Sequence, residues 1–288
     1  MPRFNPREQS LIDPERFHHL NREELCAFGR MLHRRPASLG GESVLMTLVH
    51  GLLHVRTRDG MTQLLQANDV QRTFEEKRGQ RNIVLKARQM GLTTWAAARF
   101  FLKTITQPGT LTLEVAHTQD AAEEIFRIVR RYMDWLPTNL QQGPLKTSRA
   151  NVRQLAFPKI DSQYLVISAG DRNAGRGLTV QNLHCSELAR WPGDPADTLA
   201  GLRAALSPGG EQILESTPNG VGDCFHSEWQ RADETGTVRH FFPWWMERRY
   251  SAAAVDIASL TDEEWGLIET EHLTLEQIGY QRQLRVDF

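Results

Sequence analysis

The feature that most constrains the fold of this chain is an alternation of short apolar segments with helical segments, which begins near residue 81. Five runs rich in β-branched and other apolar residues are expected to be strands: residues 82–86, 111–116, 164–168, 180–185 and 212–215. Helical patterns lie between several of them, as is typical of strand–helix units that build a parallel sheet. The sequence therefore predicts an α/β fold whose mostly parallel central sheet is flanked by helices.

The chain is expected to have three parts. Residues 1–60 have the pattern of a helical N-terminal flank, and residues 61–240 form the α/β core. Within the core, residues 151–168 are predicted to form an antiparallel hairpin. The alternation is expected to stop after about residue 238, so that residues 241–288 form a small C-terminal subdomain or linker.

Charge is balanced over the whole chain and uneven along it. Lys and Arg number 34 against 35 Asp and Glu, a formal net charge of -1, which excludes a protein that holds nucleic acid by bulk positive charge. Residues 56–103 carry ten basic and four acidic side chains, and residues 251–288 carry eight acidic and two basic ones. An electropositive working face with an acidic flank and a set of solvated helix faces both fit these counts.

Cysteine usage and hydropathy predict a soluble intracellular protein. Cys26, Cys185 and Cys224 lie far apart and no Cys or His cluster has zinc spacing, so neither a disulfide framework nor structural zinc is expected. The longest apolar run, residues 44–55, is too short to span a bilayer, and the charged N-terminus lacks the apolar stretch of a signal peptide.

One strand–loop–helix segment has the topology that a phosphate-binding loop requires. Residues 82–94 read Asn-Ile-Val-Leu-Lys-Ala-Arg-Gln-Met-Gly-Leu-Thr-Thr. In such a loop backbone N–H groups wrap the phosphates, the helix N-terminus adds its dipole, and a hydroxyl at the helix start holds Mg²⁺. Gly91 sits at the position of the second glycine of the standard pattern, and Thr93 at that of the metal-binding hydroxyl.

Two positions of this loop depart from the standard pattern. Leu92 stands where the pattern has Lys, and Lys86 stands where it has Gly. The long stem of Lys86 can still bring its ammonium group from the start of the loop to the terminal phosphates. An ordinary strand–turn–helix with surface Lys and Arg is the alternative interpretation of the segment.

Two further predicted strands end in polar residues. The run 180–185 is followed by Ser186 and Glu187, and a carboxylate at the end of a neighbouring strand can orient or deprotonate the water that attacks a γ-phosphate. Ser186 occupies the place where an Asp would normally support Mg²⁺, and it could do so only weakly, through water. The run 212–215 is followed by Ser216 and Thr217, which can sense the γ-phosphate or the water. Read alone, each of these segments is also compatible with an ordinary turn.

Taken together and in this order, the segments resemble the ATPase domain of the large terminase subunit of tailed double-stranded DNA phages. The resemblance covers roughly residues 60–285 and depends on residues 86–94, 175–179, 186–191 and 216–220; residues 1–55 match nothing in the family. The family includes loops in which the Lys has moved to the front. The resemblance implies a P-loop NTPase fold of the ASCE, RecA-like type, with a helical N-terminal flank and a small C-terminal subdomain.

The resemblance also implies an activity and its partners. The expected protein is an ATP hydrolase that couples ATP hydrolysis to translocation of double-stranded DNA into the procapsid, with ATP and Mg²⁺ as cofactors. The portal protein and the small terminase subunit are the other implied partners, and no membrane is involved. The expected location is the host cell cytoplasm, and transiently the procapsid portal. A homo-oligomeric ring when docked and a monomer in isolation both fit.

Residue roles carry over from the family position by position. Glu187, Lys86 and Arg88 would be catalytic, Thr93, Ser186 and Glu187 would lie at the metal, and Ser216 and Thr217 would form the coupling motif. Arg88, Arg172 and Arg176 are rivals for the arginine finger, with a surface arginine as the alternative for each. The implied ATP-binding residues are Asn68, Gln71, Lys86, Ala87, Arg88, Gln89, Met90, Gly91, Leu92, Thr93 and Thr94. Asn68 and Gln71 would contact adenine, although an exposed Gln on a helix is an equally good interpretation.

A nuclease domain should follow the ATPase domain in this family, and the end of the chain at Phe288 leaves no room for one. An isolated ATPase domain without nuclease activity is therefore expected. Two alternatives remain open. A helicase-like DNA translocase would need a second motor lobe. A non-hydrolysing, nucleotide-binding assembly module of the packaging complex is favoured by Leu92 and Ser186 and disfavoured by Glu187.

Overall fold

The computed structural model describes residues 20–35, 39, 41–150, 153–171, 175 and 177–287. Arg172 and Arg176, two of the three predicted arginine-finger candidates, lie outside the described residues, and so do residues 1–19 of the expected N-terminal flank.

Within the described residues, an eight-stranded sheet forms the centre of the fold, and a separate two-stranded ribbon lies beside it. In chain order the strands are β1 (His54–Arg56), β2 (Thr62–Leu64), β3 (Arg81–Lys86), β4 (Leu111–Ala116), β5 (Arg149–Ala150), β6 (Gln154–Phe157), β7 (Ser162–Ser168), β8 (Val180–Ser186), β9 (Leu206–Ser216) and β10 (Val238–Phe242). The ribbon pairs β1 with β2, and the large sheet has the order β10-β3-β9-β8-β4-β7-β6-β5. Neighbours from β10 to β7 are parallel, and β6 and β5 add an antiparallel edge. The predicted mostly parallel α/β sheet is confirmed.

Helices cover both faces of this sheet. They are α1 (Arg22–Met31), α2 (Val44–Leu52), α3 (Asp69–Lys77), α4 (Leu92–Thr106), α5 (Gln119–Asp134), α6 (Thr138–Gln142), α7 (Pro195–Ala205), α8 (Cys224–Gln230), α9 (Asp262–Glu271) and α10 (Leu275–Asp287). One core joins α1, α2, α4 and α5 to one face, and a second joins α7 and α8 to the other. Helices on both faces explain why the parallel strands read as continuous apolar runs. Among the described helices, none is long and apolar enough to cross a membrane.

The observed strands extend the predicted ones where polar residues join the ladder. The run predicted at 212–215 is the end of the longer β9, and the predicted hairpin at 151–168 is present as β6 and β7, joined by a 3₁₀ turn at Pro158–Ile160. The expectation that the alternation stops at residue 238 is wrong, because Val238–Phe242 forms β10, parallel to β3. The expected boundary between residues 240 and 241 therefore falls inside a strand.

The parallel order brings several strand ends to one edge of the sheet. Strands β3, β9 and β8 are consecutive neighbours, and all three end there. The pairing register places Leu85 of β3 opposite Ser216 of β9, and Ser186 of β8 opposite Glu215 of β9. This carboxyl edge is where open α/β sheets bind their ligands.

Candidate active site

The ends of β3 and β8 bring the predicted catalytic residues Lys86 and Glu187 together. Lys86 is the last residue of β3, and Glu187 directly follows β8. The ammonium Nζ of Lys86 lies 3.0 Å from Oε1 of Glu187 and 3.9 Å from Oε2 of Glu215 on β9. Three neighbouring strands thus contribute to one charged cluster, which the sequence predicted in part.

The loop from β3 to α4 has a backbone shape that requires glycine at its end. Gly91 has φ +76°, and a Cβ at this position would lie 2.7 Å from Nε2 of Gln71. Gln89 also has a positive φ, of 56°. Leu92 begins α4 and is buried in the core, so its side chain offers no cation to the loop. Of the two residues that depart from the standard pattern, only Lys86 can supply a positive charge to the loop.

Asn68 and Gln71 support this loop from α3. Asn68 caps the helix and forms a capping box with Gln71. The amide Nδ2 of Asn68 donates to the carbonyl of Met90 at 3.1 Å, and Nε2 of Gln71 donates to the carbonyl of Gly91 at 2.8 Å. Gln71 is buried, so its interpretation as an exposed glutamine is wrong. Both amides position the loop, and their contact with adenine stays a prediction.

Glu187 is held in a strained backbone conformation by its neighbours. Its φ of 52° lies in the left-handed region, which costs energy for a residue with a Cβ and is found preferentially at functional sites. The backbone N–H of Thr217 donates to Oε2 of Glu187 at 3.0 Å, and the Thr217 hydroxyl donates to the same oxygen at 2.8 Å. A predicted coupling residue therefore touches the predicted catalytic carboxylate directly.

Ser216, the other predicted coupling residue, connects the same two strand ends. Its hydroxyl accepts from the backbone N–H of Ala189 at 3.2 Å and donates to the carbonyl of Thr217 at 2.9 Å. The short segment after β8 is thus bound to the end of β9.

Electrostatic interactions keep both Glu187 and Lys86 ionised. Burial alone would raise the pKa of Glu187, but Lys86 and the backbone N–H of Thr217 outweigh it and hold that pKa below its ordinary value. Burial alone would lower the pKa of Lys86, but the carboxylates of Glu215 and Glu187 raise it above its ordinary value. At neutral pH Glu187 is a carboxylate that can accept a proton.

Glu215 is the site residue that the sequence analysis missed. Its side chain is buried at 1% exposure on β9. Its Oε1 accepts hydrogen bonds from the hydroxyl of Thr93 at 2.5 Å and from the hydroxyl of Ser186 at 3.0 Å. Thr93 and Ser186, the two hydroxyl residues predicted to lie at the metal, therefore both donate to the carboxylate of Glu215. The available signal was an acidic residue directly after the apolar pair Ile213 and Leu214, at the end of a predicted strand.

A buried histidine lies beside Glu215. His184 lies with Nε2 3.3 Å from Oε1 of Glu215 and Nδ1 2.8 Å from Oε1 of Glu114. Burial would lower the pKa of His184, but the two carboxylates raise it to about 9. Burial would likewise raise the pKa of Glu215, but Lys86 and His184 lower it to about 2. Arg190 also reaches this group, with Nε 4.0 Å from Oε2 of Glu187, so the carboxylates of Glu114, Glu187 and Glu215 lie among three cationic side chains.

The residues at these strand ends fit Mg²⁺ only in company with phosphate. Among the residues that the structure describes, no group of three or more His, Cys, Asp and Glu side chains could hold a metal ion. However, the buried Oε2 of Glu215 has no hydrogen-bond partner there, and the Thr93 hydroxyl lies beside the same carboxylate. Proteins typically hold Mg²⁺ through one or two carboxylates together with substrate phosphates and water. The donor set therefore suits Mg²⁺ bound with a nucleotide.

Arg88 is the arginine-finger candidate that lies within the described residues, and part of the basic stretch 56–103 is buried. Arg88 is exposed on the loop, its carbonyl accepts from the hydroxyl of Tyr250, and its guanidinium makes no ion pair with a described residue. Of the ten basic side chains in residues 56–103, Lys86, Arg99 and Lys103 are buried in ion pairs. The basic excess of this stretch is therefore only partly a surface charge.

No protein-family model matches the chain, and no curated protein matches its sequence. Among solved structures, the large terminase of the HK97 bacteriophage matches with a TM-score of 0.57 at 16% identity, over 84% of this chain and 51% of that one. A mutant large terminase ATPase domain of Thermus phage P74-26 gives 0.49 at 18% identity, over 69% of this chain and 91% of that one. A large terminase from another thermophilic bacteriophage gives 0.49 at 16% identity, over 71% and 50%.

Of these three structures, that of HK97 alone has a TM-score above 0.5. At 16% identity it shows that this chain and the large terminase of HK97 share a fold. The fold implied by the sequence resemblance is confirmed. The chain spans about half the length of the HK97 protein.

Proposed function

We propose that this chain is the ATPase motor domain of a phage terminase large subunit, which couples ATP hydrolysis to translocation of double-stranded DNA into the procapsid. The observation that carries the proposal is the position of Glu187. Its carboxylate lies between Lys86 at the start of the loop and Thr217 at the end of β9. The fold shared with the HK97 large terminase supports the same assignment.

ATP would bind over the loop that joins β3 to α4. The free N–H groups at the N-terminus of α4 favour the phosphates, and Lys86 adds a positive charge at the end of β3. Mg²⁺, when bound with the nucleotide, neutralises part of the phosphate charge. Thr93, in the first turn of α4, provides the hydroxyl predicted to hold it.

Glu187 would orient or deprotonate the attacking water. Its lowered pKa keeps it ionised at neutral pH, as a base requires. In the structure one of its oxygens faces Lys86 and the other accepts both hydrogen bonds from Thr217. When Lys86 binds phosphate, its contact with Oε1 of Glu187 would be released, and that oxygen could then accept the water. The Thr217 contacts with Oε2 would meanwhile keep the carboxylate in place.

Thr217 would transmit the result of hydrolysis to the rest of the chain. It begins the segment after β9, where Asn219 donates to the carbonyl of Ala189 at 3.1 Å. A change in charge at Glu187 therefore acts directly on two segments that leave neighbouring strands. This linkage is the basis on which we assign Ser216 and Thr217 to coupling.

Double-stranded DNA, the portal protein and the small terminase subunit are the proposed partners, at the procapsid portal in the host cytoplasm, with the chain in a homo-oligomeric ring. Their support is the fold shared with the HK97 large terminase. Motors contact the phosphate backbone, which carries little sequence information. Exposed cations available for such contacts include Arg56, Arg81 and Arg88.

A non-hydrolysing assembly module is the second candidate. It is favoured by Leu92, which is buried in the core where a standard loop would present a lysine, and by Ser186, which brings no carboxylate. Such a module would bind ATP tightly and release no phosphate.

The experiment that tests the proposal is phosphate release from ATP by the full chain, with and without double-stranded DNA, at two salt concentrations. We expect Mg²⁺-dependent turnover that DNA stimulates, and a stimulation that falls as salt rises because phosphate contacts release counterions. Tight ATP binding without turnover would select the assembly module, and strand separation would select the helicase-like translocase. A chain that neither binds nor hydrolyses ATP would refute the proposal.

A further inference from the structure

Ser186 and Glu215 are cross-strand partners at the carboxyl ends of β8 and β9. The parallel ladder pairs them directly, and the hydroxyl of Ser186 donates to Oε1 of Glu215 at 3.0 Å. Neighbouring strands lie about 4.8 Å apart, so a carboxylate on β9 reaches the space that a carboxylate at position 186 would occupy. Strand β8 has Ser186 where the standard pattern has the acid that supports the metal, and the neighbouring β9 has Glu215 at the paired position.

The hydroxyl at the start of α4 also points to Glu215. Thr93, which the loop pattern places at the metal, donates to Oε1 of Glu215 at 2.5 Å. The loop hydroxyl and the strand carboxylate are therefore already neighbours, although they lie 122 residues apart in the chain.

One oxygen of Glu215 is unsatisfied within the described structure. Its Oε2 is buried without a hydrogen-bond partner, and Nζ of Lys86 is 3.9 Å away. A buried carboxylate oxygen without a partner is costly. A bound cation with a free coordination position would relieve the cost, because a carboxylate oxygen is the kind of ligand that Mg²⁺ prefers.

A purely structural role for Glu215 is the alternative. The residue neutralises Lys86 and His184, and it lowers the cost of burying both. That role accounts for the contact of Oε1 with His184. It also accounts for the 3.9 Å contact of Oε2 with Nζ of Lys86, but it leaves Oε2 buried without a hydrogen bond.

We infer that Glu215 supplies the carboxylate toward Mg²⁺ that the standard pattern places at the position of Ser186. The carboxylate then comes from β9 and not from the neighbouring β8, and it still lies within hydrogen-bond distance of the Thr93 hydroxyl. This inference rests on the proposed ATP hydrolysis and adds to it a residue that the sequence pattern does not contain.

The test measures how much Mg²⁺ raises the affinity of the full chain for a non-hydrolysable ATP analogue, by comparing titrations in Mg²⁺ and in EDTA. In Glu215→Gln we expect the increment from Mg²⁺ to fall by about ten- to a hundredfold or more, since loss of even an outer-shell partner of a metal's ligands typically costs that much affinity. The affinity in EDTA should stay the same or rise, because the phosphates meet one negative charge fewer. A structural role would change stability and leave the Mg²⁺ increment unchanged.

Two further variants keep the test decisive if Glu215→Gln does not fold. Glu215→Asp keeps the charge beside Lys86 and His184 but withdraws the carboxylate by one methylene, and should lose most of the Mg²⁺ increment. The double variant Ser186→Asp with Glu215→Ser returns the acid to β8 and should recover the increment. Glu228→Gln is the matched control, because Glu228 pairs with Arg203 on α7, outside the cluster. Circular dichroism confirms that each variant is folded.

Metal binding can also be read without nucleotide affinity. At equal occupancy by the analogue, electron paramagnetic resonance of Mn²⁺ measures how much metal is bound. The amount of bound Mn²⁺ should fall in Glu215→Gln and recover in the double variant. An unchanged Mg²⁺ increment and unchanged bound Mn²⁺ in Glu215→Gln would overturn the inference while leaving the ATPase proposal intact. A wild-type chain that binds no nucleotide would instead refute the ATPase proposal itself.

Discussion

The ammonium Nζ of Lys86 and Oε1 of Glu187 form a 3.0 Å ion pair between the ends of two strands that are not adjacent, because β9 lies between them. The Lys86 side chain is 6% exposed and the Glu187 side chain 19%. Breaking a largely buried pair is costly. The pair therefore holds both side chains in position, and under the proposed function nucleotide must compete with Glu187 for Lys86.

Replacing Lys86 tests its role in place of the lysine that position 92 lacks. In Lys86→Ala the phosphates lose a charge-assisted contact of about 1.5 to 3 kcal/mol, so ATP affinity should fall roughly ten- to a hundredfold. Equilibrium titration with an ATP analogue measures the change. Lys159→Ala removes an exposed lysine from the 3₁₀ turn and is the control. Equal affinities in the two variants would contradict the assignment of Lys86.

The hydroxyl of Thr217 is expected to act on turnover more than on binding. Thr217→Val removes the 2.8 Å hydrogen bond to Glu187 and keeps the backbone N–H contact. Loss of a hydrogen bond to a charged group, about 1.5 to 3 kcal/mol, should lower kcat by roughly ten- to a hundredfold with little change in KM. Thr217→Ser keeps the hydroxyl and should restore turnover. Steady-state ATPase kinetics decide the matter, and an equal loss in both variants would refute this role.

Gly91 and Gly109 offer a matched pair of glycines, each with φ +76°. Either change to Ala carries the left-handed cost of about 1 to 2 kcal/mol. In Gly91→Ala the new Cβ also meets Nε2 of Gln71 at 2.7 Å, whereas nothing lies within 4 Å of a Cβ at Gly109. Thermal unfolding should show a larger loss for Gly91→Ala, and only this variant should lose ATP affinity. Equal nucleotide binding by both variants would show that the Gln71 contact does not shape the loop.

A second buried charge cluster should govern stability in acid. Oε1 of Glu211 lies 2.7 Å from Nε of Arg99, and its Oε2 lies 2.9 Å from Nζ of Lys103. Burial would raise the pKa of Glu211, but Arg99 and Lys103 hold it well below the ordinary value of 4.5. A depressed carboxyl pKa stabilises the fold above about 4.5, and this contribution declines as the pH falls toward the folded-state pKa.

Glu211→Gln should therefore lower the free energy of unfolding at neutral pH by about 3 to 5 kcal/mol, the usual cost of breaking a buried ion pair. The difference from the wild type should shrink as the pH falls from 5 to 3, on the order of the linkage expected for one carboxyl group. Urea titrations across this range measure it. Glu124→Gln breaks only an exposed pair with Arg127 and should cost about 1 kcal/mol or less. A difference that stays constant with pH would contradict the assigned pKa shift.

Residues that follow an apolar strand could be recognised from the sequence. Lys86, Glu187 and Thr217 each lie at or just beyond the end of an apolar run, and parallel pairing brings such ends to one edge of the sheet. Glu215 follows Ile213 and Leu214 directly, so it read as the end of the strand itself. Only the register, which sets it opposite Ser186, reveals its place in the site.

Long-range partners could not be predicted in the same way. His184 finds Glu114 from 70 residues away, and no local pattern joins the two. Strand β10 was missed because Arg239 and His240 interrupt its apolar character. In the fold His240 is buried, with Nε2 3.1 Å from Oδ1 of Asn82, and this partner lies on another strand. Such pairings depend on the order of the strands, which a single sequence does not state.

The central claim is that Glu187 serves hydrolysis of ATP at this edge of the sheet. The most direct measurement is the rate of phosphate release by the full chain and by Glu187→Gln, with Mg²⁺ and double-stranded DNA, beside the affinity of each for an ATP analogue. We predict that Glu187→Gln lowers the rate by about a hundredfold or more, as expected for loss of a general base, while ATP still binds. Equal rates in the two proteins would contradict the account.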